Sequence, residues 1–243
     1  PGESNYKNEK ITLKIDQELK PGSNLTVGYD YSKFEGKHPT QATNWNPGLQ
    51  GILDKKTENI YLKYDWTINE NDVGYIQYYH NELEYNNQGL MTEKANGLDA
   101  QQTVSLSDNN KMVVGVSWRK ADVVSHYTDY PAPSYIPTIV KNYDGSIDNL
   151  ALFISDSWEF VPTWTLNAGV RYDDHSEAGD ETTLSAGLNK KFDDNSHAYI
   201  NWGQVFRAPT TDDLFYDSNM GKGDPNLKPE TGDTWTIGYQ TKL

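Results

Sequence analysis

Residues 150–172 have the sequence LALFISDSWEFVPTWTLNAGVRY. Apolar side chains recur at every second position on both sides of a short break, for example at Leu150, Leu152 and Ile154 before it and at Leu166 after it. A period of two predicts β-strands, and the Val-Pro-Thr segment 161–163 between them predicts a tight turn. The stretch therefore predicts a β-hairpin with one apolar face.

The same unit recurs along the chain and gives about eleven strands. Five short turns join strands within the units, at residues 20–24, 69–72, 108–110, 161–163 and 193–195. Five longer segments join the units to one another and to a last strand at 234–242, and we predict them as loops at 35–56, 85–97, 122–146, 173–180 and 207–230. Short and long connections alternate strictly.

This alternation is typical of an outer-membrane barrel, in which short turns lie on the periplasmic side and long loops face outward. We therefore predict an all-β fold, an antiparallel up-and-down transmembrane β-barrel. Trp118, Trp202 and Trp235 lie near the long-loop ends of their strands, as expected of an aromatic ring at a membrane interface. The alternative is a soluble β-sandwich or propeller, but nothing in those folds forces the connections to alternate.

Composition excludes several other classes of protein. The 243 residues include no cysteine, so there is neither a disulfide framework nor a thiolate metal site. The chain has 35 acidic against 21 basic residues and a net charge of −14, which opposes binding to nucleic acid. No apolar run approaches the ~20 residues of a transmembrane helix. The 17 Tyr and 7 Trp suit strands at a membrane–water boundary.

Four motifs in the last hundred residues resemble those of TonB-dependent outer-membrane receptors. They occur in the order found in that family: LFISDSW at 152–158, AGVRYD at 168–173, FRAP at 206–209 and DPNLKPE at 224–230. The family has Asn where this chain has Asp224, which is a mild departure. A single FRAP would be weak evidence, whereas the ordered set is specific. Residues before about 148 match the family only in their strand pattern.

The resemblance implies a barrel of about 22 strands that encloses an N-terminal plug domain. We expect residues 1–243 to be part of one such barrel domain, an incomplete stretch of about eleven strands. The plug, the TonB-contacting motif and the C-terminal strands are expected to lie outside this chain, as is a signal peptide. An odd number of strands does not close as a simple barrel, so two strand edges are expected to lack partners here.

The resemblance also implies the function and the cell compartment. Members of the family import ferric siderophores, haem or cobalamin across the bacterial outer membrane, with energy relayed by TonB–ExbB–ExbD through the plug. We therefore predict an outer-membrane receptor for a ferric siderophore, in contact with membrane lipid and lipopolysaccharide. A haem, haemoprotein or cobalamin receptor is the alternative within the family. Similar haem receptors carry a His between the last two motifs, and there is none between Arg207 and Asp224. A passive porin-like barrel is the third interpretation.

Ligand contacts are expected in the outward loops, because loops carry recognition on a rigid scaffold. Aromatic rings can stack on a planar ligand, and a cation can face an anionic chelate. The candidates are His38, Trp45, His126, Tyr127, Tyr130, Arg207, Phe215 and Tyr216. Loop packing is the competing interpretation for each of them, and Arg207 with Pro209 is more simply a device that fixes the strand exit.

No catalytic motif is present, so we predict neither an enzyme nor a resident cofactor. The chain contains no G-x-S-x-G, P-loop or H-E-x-x-H pattern, and its five His have no metal-site spacing. The pair Asp212-Asp213 is too ordinary on an acidic surface to indicate a general acid. An outer-membrane protease or lipase is the enzyme alternative.

Overall fold

The structure is a computed structural model that describes residues 5–39, 50–87, 89–129, 131, 136, 138–218 and 221–242. For residues 37–39 and 50–52 only the backbone is described. No described helix is long and apolar enough to cross a membrane.

Nearly all described residues lie in β-strands. The elements in chain order are β1 Asn5–Lys20, β2 Ser23–Pro39, β3 Gln50–Thr67, β4 Val73–Asn86, β5 Leu90–Ser107, β6 Asn110–Asp129, β7 Thr138–Val161, β8 Trp164–His175, β9 Gly179–Lys191, β10 Ser196–Arg207, α1 Thr211–Phe215, β11 Asp217–Ser218, β12 Gly221–Lys222 and β13 Glu230–Thr241.

Eleven of these strands form one antiparallel sheet in chain order, from β1 through β10 to β13. The two-residue strands β11 and β12 pair only with each other. Among the described residues, β1 pairs only with β2 and β13 only with β10, so the sheet is not closed. The predicted fold class and strand number are confirmed, as is the incomplete barrel with two edges.

The register gathers the alternating apolar residues on one face of the sheet. Leu13 of β1 pairs with Tyr29 of β2, and Val27 of β2 pairs with Leu62 of β3. Further along the sheet Val116 pairs with Leu152, which is 52% exposed although β7 is a central strand. Large apolar side chains that remain exposed across a whole sheet face require an apolar surrounding, which a bilayer supplies. This is the outer face of the barrel wall.

The opposite, inner face carries polar side chains that bond across strands. The hydroxyl of Thr26 donates to Asp16 (2.6 Å), and that of Ser117 donates to Asp99 (2.5 Å). Aromatic rings also lie flat over this face: a Cβ at Gly97 would stand 2.0 Å from the ring of Tyr79 on the neighbouring strand. Glycine is therefore required there by the ring that crosses it.

Three tryptophans lie in strands of the large sheet, at the positions where the sequence predicts an aromatic ring at a membrane interface: Trp118, Trp202 and Trp235. Trp202 and Trp235 pair directly across β10 and β13, with ring centroids 6.4 Å apart. The indole N–H of Trp118 donates to Asp148 (2.9 Å), so its polar edge is turned to a carboxylate. An indole with an apolar body and a bonded N–H suits a membrane interface.

The five predicted short turns are confirmed, whereas four of the predicted long loops are too long. Only residues 87–89 separate β4 from β5, and only 176–178 separate β8 from β9. Similarly, β6 continues to Asp129, β7 begins at Thr138 and β2 continues to Pro39. The eleven strands of the large sheet have 12 to 24 residues, more than the 9–11 that cross a bilayer. Beyond the bilayer neither face needs apolar residues, so the period of two ends while the hydrogen-bonded ladder continues.

Candidate functional site

The segment between β10 and β13 folds back over the outward end of the sheet. It contains α1, which begins with a capping box: the Thr210 hydroxyl accepts from the Asp213 amide, and the Asp213 carboxylate accepts from the Thr210 amide. That bond lowers the pKa of Asp213 and keeps it ionised. The sequence pattern predicts only a loop here. The Thr-x-x-Asp pattern at 210–213 is the local signal that could have revealed the helix.

Helix α1 lies against the inner face of β7. The Tyr143 hydroxyl donates to Asp212 Oδ1 (2.7 Å) and lies 3.1 Å from the Thr211 hydroxyl. The rings of Tyr143 and Phe215 are 6.2 Å apart, and a Cβ on Gly145 would come within 2.6 Å of the Phe215 ring. β7 therefore offers a bare backbone patch on which the Phe215 ring rests.

Two further contacts hold the same segment in place. The Asp217 amide donates to Asn142 Oδ1 (2.6 Å), and Leu214 is buried. Burial raises the pKa of Tyr143 to about 12, so its hydroxyl stays protonated and continues to donate at any physiological pH. The segment is therefore docked on the sheet by polar and apolar contacts together.

A groove opens between this segment and the tips of β4 to β7. We name it the rim groove; its volume is about 610 Å³. Its walls include Tyr85 of β4, Met91 of β5, Tyr127 of β6, Asn142 of β7, and Asp212 and Tyr216 of the docked segment. It lies at the long-loop end of the strands, where an outward ligand would first meet the barrel. Three phenol rings and a thioether give it an adaptable apolar lining with polar tips.

The structure brings together three of the predicted ligand contacts. Tyr127, Tyr216 and His126 all border the rim groove, and His126 Nδ1 is buried without a hydrogen-bond partner among the described residues. Phe215 lies beside them against β7, where its ring packs on Tyr143. Whether they contact ligand stays a prediction.

The remaining candidates fall elsewhere or outside the described residues. Arg207 is absent from the groove walls and bridges the carboxylates of Asp213 (3.6 Å) and Glu230 (3.4 Å), as expected for a residue that fixes the strand exit. His38 lies in β2, paired through its backbone with Gly51, and its side chain is not described. Trp45 and Tyr130 lie outside the described residues.

No pattern in the sequence indicates Tyr85, Met91 or Asp212 as ligand contacts. Tyr85 and Met91 pair with each other across the β4–β5 hairpin. They meet Tyr127 and Tyr216 only because the strands extend beyond the membrane and the later segment folds inward. In the sequence, Asp212 is only half of an ordinary acidic pair with Asp213. No group of three or more His, Cys, Asp or Glu side chains in the described part of the chain is placed to hold a metal ion.

Comparison with known proteins identifies the family. The profile described as TonB dependent receptor-like, beta-barrel matches residues 2–242. The chain belongs to this family. TonB-dependent receptors are outer-membrane transporters and receptors of Gram-negative bacteria, so the predicted family and compartment are confirmed.

Curated relatives and solved structures agree with that assignment. The chain is 28% identical over 131 residues to the vitamin B12 transporter BtuB of Vibrio cholerae, an alignment that covers 54% of this chain and 20% of the transporter. It is 37% identical over 79 residues to BtuB of Vibrio vulnificus, in an alignment that covers 32% of this chain and 12% of that protein.

The solved structures share the fold at low sequence identity. The siderophore receptor PirA from Pseudomonas aeruginosa superposes with a TM-score of 0.74 at 16% identity, over 98% of this chain and 44% of that one. A variant of the ferric enterobactin receptor PfeA from the same species, in complex with enterobactin, gives 0.77 at 16% identity over 100% of this chain and 42% of that one. The chain thus spans less than half the length of these receptors.

Proposed function

We propose that this chain is part of the barrel domain of an outer-membrane receptor that takes up a scarce metal chelate, a ferric siderophore in the first instance. The observation that carries the proposal is the rim groove, an aromatic-lined cleft of about 610 Å³ at the outward end of the barrel wall. A volume of that size suits a compact organic ligand. Tyr127 and Tyr216 supply flat faces against which such a ligand can pack.

In such a receptor, transport depends on more than the barrel wall. In the proposed receptor, residues 1–243 form one stretch of the barrel wall, and a plug domain elsewhere in the protein receives energy from TonB, ExbB and ExbD. The polar inner face, with bonded pairs such as Thr26 and Asp16, gives the lumen a hydrated wall that a polar chelate can pass. The outer face contacts membrane lipid and lipopolysaccharide.

Cobalamin is the second candidate ligand, and the sequence relatives are the specific reason. Both curated relatives described above are vitamin B12 transporters, one 28% identical over 131 residues and the other 37% identical over 79. The enterobactin complex among the fold neighbours, at 16% identity, supports the barrel and not a particular ligand.

Growth of a strain that depends on the receptor tests both candidates. The full-length gene is deleted and restored in a siderophore-deficient host, which is grown with a panel of ferric siderophores or, in a cobalamin auxotroph, with cyanocobalamin. We expect rescue by at least one chelate, and loss of rescue when the TonB gene is removed. Growth that is independent of the receptor for every chelate, together with a large open conductance of the purified protein, would instead support a passive pore.

A further inference from the structure

The rim groove carries two carboxylates and neither Lys nor Arg among its described walls, and His126 is the one basic side chain there. Asp129 and Asp212 both border it, whereas neither Lys nor Arg does. Asp212 is an exposed carboxylate whose one described protein partner is the Tyr143 hydroxyl, so it keeps capacity to accept further hydrogen bonds. The groove therefore presents negative charge and hydrogen-bond acceptors to whatever enters it.

The amino-acid composition of the segments around the groove agrees with this observation. The three segments that contribute the groove walls, 85–91, 125–142 and 208–220, contain four Asp residues, one Lys and no Arg. Two of the four Asp are ion-paired with cations outside these segments, Asp213 with Arg207 and Asp217 with Lys222, and neither of them lines the groove. The one lysine, Lys141, is ion-paired with Asp144 at 2.7 Å and does not line the groove. The nearby Lys222 is likewise paired with Asp217, at 3.1 Å.

These charges discriminate between classes of metal chelate. A ferric tris-catecholate is a polyanion, and haem carries two carboxylates, so each would face Asp129 and Asp212 with neither Lys nor Arg among the described groove walls. A ferric trihydroxamate or a cobalamin has no net negative charge, and a ferrioxamine is cationic. Like charges repel across a hydrated cleft, whereas amide and amine donors on a neutral or cationic ligand find Asp and Tyr oxygens as acceptors.

We propose that the ligand of the rim groove is a neutral or cationic metal chelate and not a polyanionic one. The inference rests on the proposed receptor function and names its substrate class. Phenol rings at Tyr85, Tyr127 and Tyr216 pack against the apolar body of the chelate, and Met91 adapts to its shape. Asp212 accepts a hydrogen bond from an N–H donor of the ligand or pairs with its cationic group.

Binding measurements on the full-length receptor in detergent test the proposal directly. The probes are ferrichrome and cyanocobalamin as neutral chelates, ferrioxamine B as a cationic one, and ferric enterobactin and haem as anionic ones. We expect saturable binding of at least one neutral or cationic probe, and at least tenfold weaker binding of both anionic probes. Binding of an anionic probe alone would overturn the charge inference and leave the receptor function intact. No binding of any probe would overturn both.

Two substitutions locate the effect in the groove. Asp212→Asn should weaken binding of the cationic probe by about threefold to tenfold, the size expected for one charge a few ångströms away in a hydrated site. Asn87→Lys, which places a cation on the groove wall formed by the β4–β5 connection, should improve binding of ferric enterobactin by a similar factor and weaken that of ferrioxamine B. Because the second variant is expected to gain affinity, simple misfolding cannot imitate it.

Asp174→Asn is the matched control. Asp174 is an exposed carboxylate on β8 that does not line the groove, so the substitution changes net charge equally without touching the walls. Its affinities should equal those of the unchanged receptor. If Asp174→Asn and Asp212→Asn shift all probes alike, the charge of the whole protein and not that of the groove governs binding, and the proposal is wrong.

Discussion

Removing one hydroxyl should loosen α1 from the sheet without disturbing the barrel. In Tyr143→Phe the ring that packs on Phe215 remains, but the 2.7 Å bond to Asp212 is lost. A hydrogen bond to a charged group contributes about 1.5–3 kcal/mol. Since Asp212 is exposed and water replaces part of that bond, we expect a loss of about 1–2 kcal/mol in the docking free energy of the segment.

A loss of that size raises the population of the undocked segment by about fivefold to thirtyfold. Hydrogen exchange of the full-length receptor in detergent measures it, because amides in peptides that cover 208–218 exchange only when the segment opens. Protection should fall by the same factor, while peptides from β8 and β9 stay unchanged. Tyr172→Phe, on β8 and away from α1, is the control. Unchanged protection in Tyr143→Phe, with the control also unchanged, would show that the hydroxyl does not hold the segment.

Three further predictions concern the same end of the sheet. Gly145→Ala places a methyl group 2.6 Å from the Phe215 ring and should weaken docking of the segment by about 1–3 kcal/mol in the same exchange assay. In the double variant with Phe215→Ala, most of the destabilisation caused by the methyl group should disappear, because the ring that it meets is gone. Arg207→Ala breaks two ion pairs of a side chain that is 62% exposed, so the free energy of unfolding measured by thermal denaturation should fall by only about 0–1 kcal/mol. A larger fall would show that the end of β10 depends on these ion pairs. His175 Nδ1 accepts hydrogen bonds from two amides of the β8–β9 turn, at 3.2 and 3.1 Å, and burial lowers the pKa of the imidazole. The stability that the neutral imidazole contributes is therefore complete above the ordinary pKa of His and is lost as the pH falls through the lowered pKa. Hydrogen-exchange protection of the turn, corrected for intrinsic exchange, should drop in acid, and an equally large drop in His175→Gln would exclude the imidazole as the cause.

The hairpins could be predicted from the sequence because their signal is local. A strand that crosses a bilayer must place apolar residues on one face, so Leu150, Leu152 and Ile154 reveal both the strand and its outer face. Turns such as the one at 162–163 interrupt that pattern within a few residues. The family motifs at 206–209 and 224–230 were equally visible, and the match over residues 2–242 confirmed what they indicated.

The strand ends and the rim groove could not be predicted in the same way. Outside the bilayer the ladder bonds of β6 and β7 continue through residues with no alternation, so residues 122–129 were assigned to a loop. Predicting the groove also required knowing that a helix at 211–215 turns inward. Its capping pattern indicates a helix start but not the surface on which the helix rests.

The sequence alone predicts the eleven strands, the positions of the short turns and the family, because the patterns that indicate them are local. That Tyr127 of β6, Tyr85 of β4 and Tyr216 of the docked segment share one groove is visible only in the folded protein. Arg207 does not line this groove, because the folded chain pairs its guanidinium with two carboxylates instead. The residues that line the groove lie up to 131 positions apart in the sequence, from Tyr85 to Tyr216, and such separations have no signature in a local pattern.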